Sequence, residues 1–185
     1  MTLESKGLRL IAAHNNNVQN NMADVIGNLA KRMADHDQSK YSENEFDLVE
    51  GKSYLQTLEY NTPEYKVGLA RIQTAVEHHY QSNSHHPEHF KTWECNGCFK
   101  AFDENSLPDN MHCDVCMCEI FQQNKGIRGM TLLDLIEMAC DWQAASIEHN
   151  STFLTSINRN VERFGLSIEV QEILMNTGRE MGWIE

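Results

Sequence analysis

Imidazole and carboxylate side chains occur in this chain where a metal centre would need them. There are nine histidines among 185 residues, and four of them form two doubled pairs whose starts lie seven residues apart. Imidazole nitrogens and carboxylate oxygens are the ligands that bind Zn, Mn, Fe or Mg in sites that carry out chemistry. The residues that we expect to bind one or two divalent ions are His14, His36, Asp37, His79, His86 and Asp141.

The doubled histidines do not all qualify equally as ligands. Neighbours on a helix point about 100° apart, so only one of His78 and His79 can face a common site. We favour His79, because it continues the apolar stripe of its helix. His86 is held extended by Pro87 and is therefore pre-organised, and His85 is nearly as good a candidate.

The predicted roles of two carboxylates and of His14 depend on helix geometry. Glu137 and Asp141 project from one helix face, and Ile136 and Cys140 are expected more to the core side. A carboxylate on that face must be bound to a metal or paired, since burying it alone is prohibitive. For Glu137 two interpretations are equally favoured: it contacts a metal ligand or transfers a proton, or it forms a simple ion pair. A straight helix would separate His14 from His36 by about 33 Å, so His14 can be a ligand only if the helix folds back at residues 27–28.

A second metal site is predicted by the spacing of four cysteines. Two Cys-x2-Cys pairs separated by fourteen residues can supply four thiolates in a tetrahedron around zinc. We expect this zinc to staple a loop that has little core of its own rather than to form a recognition module. His112 and Cys118 flank the second pair and are alternative ligands. The four expected ligands are Cys95, Cys98, Cys113 and Cys116.

Composition limits the class of protein. Apolar residues make up 41% and charged residues 23%, which favours a globular fold over disorder. The formal net charge of −12 opposes binding to duplex nucleic acid and to membrane surfaces. Neither an apolar run of 18 residues nor a secretory signal is visible, so we expect a cytoplasmic protein whose paired cysteines bind metal.

Hydrophobic periodicity predicts the elements that position these residues. Residues 92–128 lose the helical period, and almost no strand signal is visible. We therefore expect an all-α fold in which residues 1–91 and 129–185 form one helical domain and residues 92–128 form a zinc-binding insert. The expected helices cover residues 8–34, 43–60, 63–80, 131–146, 151–164 and 168–181. Their expected caps are Ser42 in a capping box with Glu45, Thr62, Thr131 and Ser167, and Gly165 is expected to separate the last two helices.

The order of the candidate ligands, His14, then His36-Asp37, then Asp141, resembles that of the HD-domain metal-dependent phosphohydrolases. Three segments are also similar to an uncharacterised family of phages and bacteria, a domain of unknown function with HDxSK and HHPEH motifs. The resemblance covers residues 14–147 without the cysteine insert. The three segments are HDQSKYSENE (residues 36–45), HHYQSNSHHPEHF (78–90) and IEMACDWQAAS (136–146).

The resemblance implies an HD-domain-like helical bundle that hydrolyses a nucleotide or a similar small phosphate ester in the bacterial or phage-infected cytosol. Its metal would polarise the phosphoryl oxygen and lower the pKa of a bound water to about 7. Asp37 would serve the metal, Glu137 would orient the water or accept its proton, and Lys40 would neutralise phosphate charge. HD relatives often form homodimers.

Two departures leave other functions open. Bacterial 5'-deoxynucleotidases of the superfamily have a glutamate shortly after the His-Asp pair, where this chain has Lys40, and Glu43 and Glu45 are the candidates to substitute for it. His79 and His86 resemble ligands of dinuclear members, which include diiron oxygenases of the same fold. A third alternative is a non-catalytic phage factor that binds a nucleotide or contacts a host protein through the zinc insert.

Overall fold

The computed structural model describes residues 3–59, 62–102 and 106–185, and most of these residues are helical. Within these ranges, no helix is both long and apolar enough to cross a membrane. The helices are α1 (Leu3–Asp35), α2 (Phe46–Leu55), α3 (Pro63–Arg71), α4 (Gln73–Ser82), α5 (Leu132–Glu148), α6 (Phe153–Phe164) and α7 (Ile168–Glu180). The strands are β1 (Lys91–Cys95), β2 (Ala101–Phe102) and β3 (Ile120–Asn124).

The chain forms two compact units, one ending at His36 and the other beginning at Asp37. The first unit contains α1, which covers the helix predicted over residues 8–34. The second unit contains all the other elements.

Helices α2 to α4 differ from the two long helices predicted for this region. A 3-10 turn, Glu43–Glu45, precedes α2, and the predicted helix over 63–80 is interrupted at Ile72. Thr62 caps α3 as expected, since its hydroxyl accepts a hydrogen bond from the amide of Tyr65 at 3.2 Å. The interruption allows the buried Ile72 to pack on Gly51 of α2, where a Cβ atom would lie only 2.7 Å from Ile72 Cγ2.

The cysteine-rich segment contains a small antiparallel sheet with strand order β2-β1-β3. The expectation of an all-α fold with almost no strand was therefore wrong for this segment. Pairing places Trp93 opposite Phe102 and Cys95 opposite Ile120. The strands are two to five residues long, and a helical or alternating period cannot be recognised in segments this short.

Helices α5 to α7 build the main hydrophobic core of the second unit. Thr131 caps α5 through a capping box with Asp134. We expected Ile136 and Cys140 on the core side of α5, but both are exposed, because the buried stripe is shifted by about half a turn. The buried core residues are Met138, Ala139, Trp142, Phe153, Ile157, Leu166 and Leu174.

The two caps predicted for the last helices are present. Gly165 ends α6 with a φ of 61°, the left-handed conformation that glycine adopts without steric cost. Ser167 then caps α7 by accepting a hydrogen bond from the amide of Val170. Together these signals fix the turn that folds α7 back onto α6, and the core of this unit follows from it.

Candidate metal centre

Asp37 occupies a strained position at the start of the second unit. Its φ of 55° lies in the left-handed region, which residues other than glycine seldom adopt. The residue begins a 3-10 turn, Gln38–Tyr41, in which the amide of Lys40 donates to the carbonyl of Asp37. Lys40 also pairs through its ammonium group with Oδ2 of Asp37. The Oδ1 atom is thereby left to face a group of histidines.

Three histidines converge on Asp37 from α4 and from the loop after it. His79 lies on the last turn of α4, and His85 and His86 follow the helix end at Asn83. Nε2 of His79 is 3.4 Å and Nε2 of His85 is 3.5 Å from Oδ1 of Asp37. Nε2 of His86 is 2.9 Å from Nε2 of His79. Each of the four residues offers one ligand atom within 4.8 Å of the others.

Two carboxylates contact the far sides of two of these imidazoles. Nδ1 of His79 is 3.0 Å from Oε2 of Glu45, a side chain that is fully buried. Nδ1 of His85 is 3.1 Å from Oε1 of Glu137. A carboxylate beside Nδ1 keeps the proton on that nitrogen, so the lone pair of the neutral ring is on Nε2. Carboxylates behind metal-binding histidines act in this way in many metal centres.

This arrangement fits a divalent cation. The Nε2 lone pairs of His79 and His85 point toward the same carboxylate oxygen, and lone pairs that face one another repel unless a positive charge lies between them. Ligand atoms about 2.1 Å from a cation lie about 3.0–3.4 Å apart in octahedral or tetrahedral geometry. The observed separations of 2.9 to 3.5 Å match that spacing.

A second set of ligand atoms overlaps the first. Asp141 on α5 also lies with Asp37 and His85, and the three offer one ligand atom each within 4.8 Å. Asp37 and His85 therefore belong to both sets. Because Lys40 holds Oδ2 of Asp37, Oδ1 is the oxygen that remains to bind one ion or to be shared by two.

Burial keeps the histidines in the form that binds metal. Desolvation, together with the neighbouring His85 and His79, lowers the pKa of His86 to about 2. Desolvation also lowers the pKa of His79, although Asp37 and Glu45 act in the opposite direction. Neutral imidazole is the species that donates a lone pair to a metal ion, so no proton has to be displaced.

Most of the predicted ligands lie in this centre, but His14 does not. Helix α1 continues without a break through residues 27–28, so His14 and His36 are about 33 Å apart along its axis. His14 therefore cannot share a metal with His36, and its expected role as a ligand was wrong. His36 is half-buried and ends the first unit, one peptide bond before Asp37. His36 stays a predicted ligand because it directly precedes Asp37 in the chain.

Sequence reasoning undervalued two residues of the centre. His85 was ranked behind His86, but both belong to the group around Asp37. Glu45 was expected in a capping box or as a substitute glutamate, whereas its carboxylate contacts Nδ1 of both His78 and His79. The signal for His85 was its place in the doubled pair. No local pattern distinguishes Glu45, because its partners lie more than 30 residues away.

The cysteine cluster forms the second candidate metal site. The Sγ atoms of Cys95 and Cys116 are 3.3 Å apart, and those of Cys98 and Cys113 are 3.6 Å apart. All four Sγ atoms lie within 4.8 Å of one another. Four thiolates bound to zinc lie about 3.8 Å apart, so the cluster approaches that geometry. Whether zinc occupies the site stays a prediction.

The two cysteine pairs have the same local backbone. Phe99 and Met117, each directly after the second cysteine of its pair, have positive φ values of 58° and 56°. The amides of Gly97 and Val115 donate to the Sγ of the first cysteine in each pair. A side chain at Gly97 would collide with Cys118, so only glycine fits there.

Backbone donors also favour the thiolate at the first cysteine. Desolvation opposes ionisation of Cys95, but the amides of Cys98 and Gly97 stabilise the thiolate and lower its pKa to about 6. The thiolate is the form that binds a metal ion. His112, an alternative ligand by sequence, instead contacts the carbonyl of Asn110 at 2.6 Å.

A cavity of about 580 Å³ adjoins the histidine centre within the second unit. His79, His86 and Asp141 line it at the metal centre. Apolar side chains of α2 to α4 and the ring of Trp142 form much of the remaining wall. The cationic side chains that line the cavity are Lys40, Arg159 and Arg163. Glu88 and Asp141 also line the cavity, so its wall carries both cationic and anionic side chains.

Arg163 is fixed beside the histidine centre. Its guanidinium donates to Glu88 at 2.6 Å and to the hydroxyl of Tyr80 at 3.3 Å. The ring of Tyr80 lies 5.0 Å from that of His86, measured between centroids. The α6 face that carries Arg163 therefore meets the edge of the metal centre.

Comparison with known proteins gives a family but no described activity. No curated protein and no solved structure matches the chain. One family model matches residues 3–180, which is nearly the whole chain and includes both candidate metal sites. The protein therefore belongs to the DUF5662 family, a family of unknown function.

Proposed function

We propose that this protein is an HD-type metal-dependent phosphohydrolase that acts on a nucleotide or a similar small phosphate ester. The observation that carries the proposal is the sharing of Asp37 and His85 by two sets of ligand atoms beside a cation-lined cavity. Ligands of this kind suit the divalent ions used in phosphoryl transfer.

Asp37, Asp141 and the three histidines would hold one or two divalent ions, with His36 added from the sequence prediction. When bound, a divalent ion supplies Lewis-acid activation of water and neutralises charge on the phosphoryl group. Glu137 contacts His85, so in this proposal it holds that ring in place. Lys40 holds Oδ2 of Asp37 and presents a positive charge to the cavity.

The cavity supports a substrate that has both an anionic and an apolar part. Arg159 and Arg163 lie one turn apart on α6 and would bind phosphate oxygens. The apolar wall, which includes Leu55 and Ile72, would accept the organic group of the ester. A volume of about 580 Å³ is in the range of small-ligand sites.

The test is a hydrolysis panel with metal analysis of the purified full chain. We expect Mn- or Co-dependent release of phosphate from at least one nucleotide, and its loss in Asp37→Asn with the helical circular dichroism unchanged. Asp109→Asn, which changes an exposed aspartate in the same way, serves as the matched control. An Asp37→Asn protein that keeps full activity would refute the assignment, as would nucleotide binding without turnover in saturating metal.

A dinuclear iron oxygenase is the second candidate, and the three histidines around Asp37 favour it. Two observations distinguish the candidates. The oxygenase would contain about two irons per chain and lose activity without O2, whereas the phosphohydrolase would turn over equally well under nitrogen.

A further inference from the structure

One face of α1 carries exposed apolar side chains along most of its length. Leu8, Ile11, Val18, Met22 and Val25 are between 40% and 63% exposed. A soluble protein seldom leaves such a continuous apolar stripe without a partner. The site proposed above uses none of these side chains, so the stripe needs a separate explanation.

The stripe follows a heptad repeat. Its members alternate in steps of three and four residues, which is the spacing of a and d positions in a coiled coil. Apart from Leu3 and Leu10, the b, c and f positions of α1 are polar, charged or small. The seam residues in order are Leu8, Ile11, Asn15, Val18, Met22, Val25 and Leu29.

We propose that α1 is an oligomerisation helix, and that its seam packs against α1 of a second copy of this chain in a parallel, in-register coiled coil. Asn15 decides the direction. In a parallel pair it faces Asn15 of the second copy, and the two amides can bond to each other. An antiparallel pair centred on the seam would bring Asn15 against Val25 and leave the amide unsatisfied.

A second copy of this chain is the expected partner, because the seam lacks features that would select a different helix. Between Ile11 and Leu29 none of the e and g positions is Asp, Glu, Lys or Arg; they are Ala12, His14, Gln19, Asn21, Ile26 and Asn28. Partner choice in coiled coils depends mainly on charges at those positions. A seam with a single polar layer and neutral flanks is complementary to itself.

The apolar area is large enough for a stable interface. Burying one such side chain removes roughly 60–120 Å² of apolar surface from water. With Ile26 and Met33 at the flanks, seven side chains would then bury roughly 800–1,700 Å² over two copies. This range reaches the roughly 1,000 Å² expected of a specific interface.

The seam residues also affect how many copies of α1 associate. Leucine and methionine at a positions with isoleucine and valine at d positions favour a coiled coil of four helices. An asparagine at an a position is best known for fixing the register of coiled coils of two helices. Either number requires the same seam and the same direction.

The experiment is a mass measurement of the full chain by light scattering over a range of concentrations. Val18→Lys with Val25→Lys places two charges in the seam, and Ala13→Lys with Asn20→Lys places the same charges on the opposite face. We expect a dimer or tetramer for the unchanged chain and the control, and a monomer for the seam variant. A monomeric unchanged chain, or equal dissociation of both variants, would overturn the proposal.

A second variant guards against simple unfolding of α1. Asn15→Leu removes the polar layer and keeps the helix, so the dissociation concentration should fall by about tenfold or more. An unchanged or raised dissociation concentration would contradict a seam that buries Asn15. Retention of a different protein on a monomeric chain would also count against self-association.

Discussion

Glu45 shows how one buried carboxylate can organise two adjacent histidines. It is fully buried, and its two oxygens contact Nδ1 of His78 at 2.7 Å and Nδ1 of His79 at 3.0 Å. The amide of Asn83 also lies 3.1 Å from Nδ1 of His79, but its two hydrogens can go to the hydroxyl of Ser39 and to the carbonyl of His79. The Nδ1 proton of His79 therefore goes to Glu45, and Nε2 is kept available for a metal.

We expect Glu45→Gln to weaken metal binding at the histidine centre by about 10- to 100-fold, because an amide holds the Nδ1 proton less strongly than a carboxylate does. A calorimetric titration of the metal-free protein with Mn or Co measures the change in affinity. Glu43→Gln alters an exposed glutamate of the same turn and should leave the affinity unchanged. Equal affinity in the two variants would show that Glu45 has only a structural role.

At the scale of elements, the start of α5 is tied to the loop that carries His85. Asp134 closes the capping box with Thr131 and is only 2% exposed. Its other oxygen accepts a hydrogen bond from Ser84, at 2.5 Å. The helix that presents Asp141 and the loop that presents His85 are thereby held together by one side chain.

Asp134→Ala should therefore have two effects. Loss of the cap should lower the free energy of unfolding by about 1–2 kcal/mol, and loss of the Ser84 contact should weaken metal binding. Thr152→Ala removes the cap of α6, where the Thr152 hydroxyl accepts from the amide of Thr155 in the same helix, and should affect stability alone. Urea unfolding and metal titration separate the two effects. Similar metal affinity in both variants would disprove the coupling.

At the scale of the whole molecule, the second unit has two hydrophobic clusters, and they differ in whether cysteines form part of the buried core. One joins α5 to α7, and the other surrounds Cys95, Cys113 and Ile120 in the sheet. The sheet cluster has only three buried members among the described residues, which is too few to stabilise a fold by apolar burial. A metal bound by thiolates would supply what the core lacks.

Cys98→Ser should remove about one zinc per chain and increase proteolysis within residues 91–124, since a serine hydroxyl does not replace the thiolate. Metal content at the histidine centre and the helical circular dichroism should stay the same. His112→Asn, a change beside the second cysteine pair, should retain the zinc. Simultaneous loss of both metals in Cys98→Ser would show that the two sites are not independent.

The sequence by itself determined the local features of this protein. Caps at Thr62, Thr131 and Ser167 and the glycine at 165 marked helix ends, because each acts through residues only a few positions away. The spacing of the cysteines likewise predicted their cluster, since each Cys-x2-Cys pair is a local turn.

Only the tertiary structure decided which residues share the histidine centre and which do not. An unbroken α1 removed His14, and burial of Glu45 against α4 turned an expected helix cap into a support for His79. Short strands paired across the cysteine segment where the sequence showed almost none. Each of these outcomes depends on contacts between residues far apart in the chain, and such contacts leave no periodic trace in the sequence.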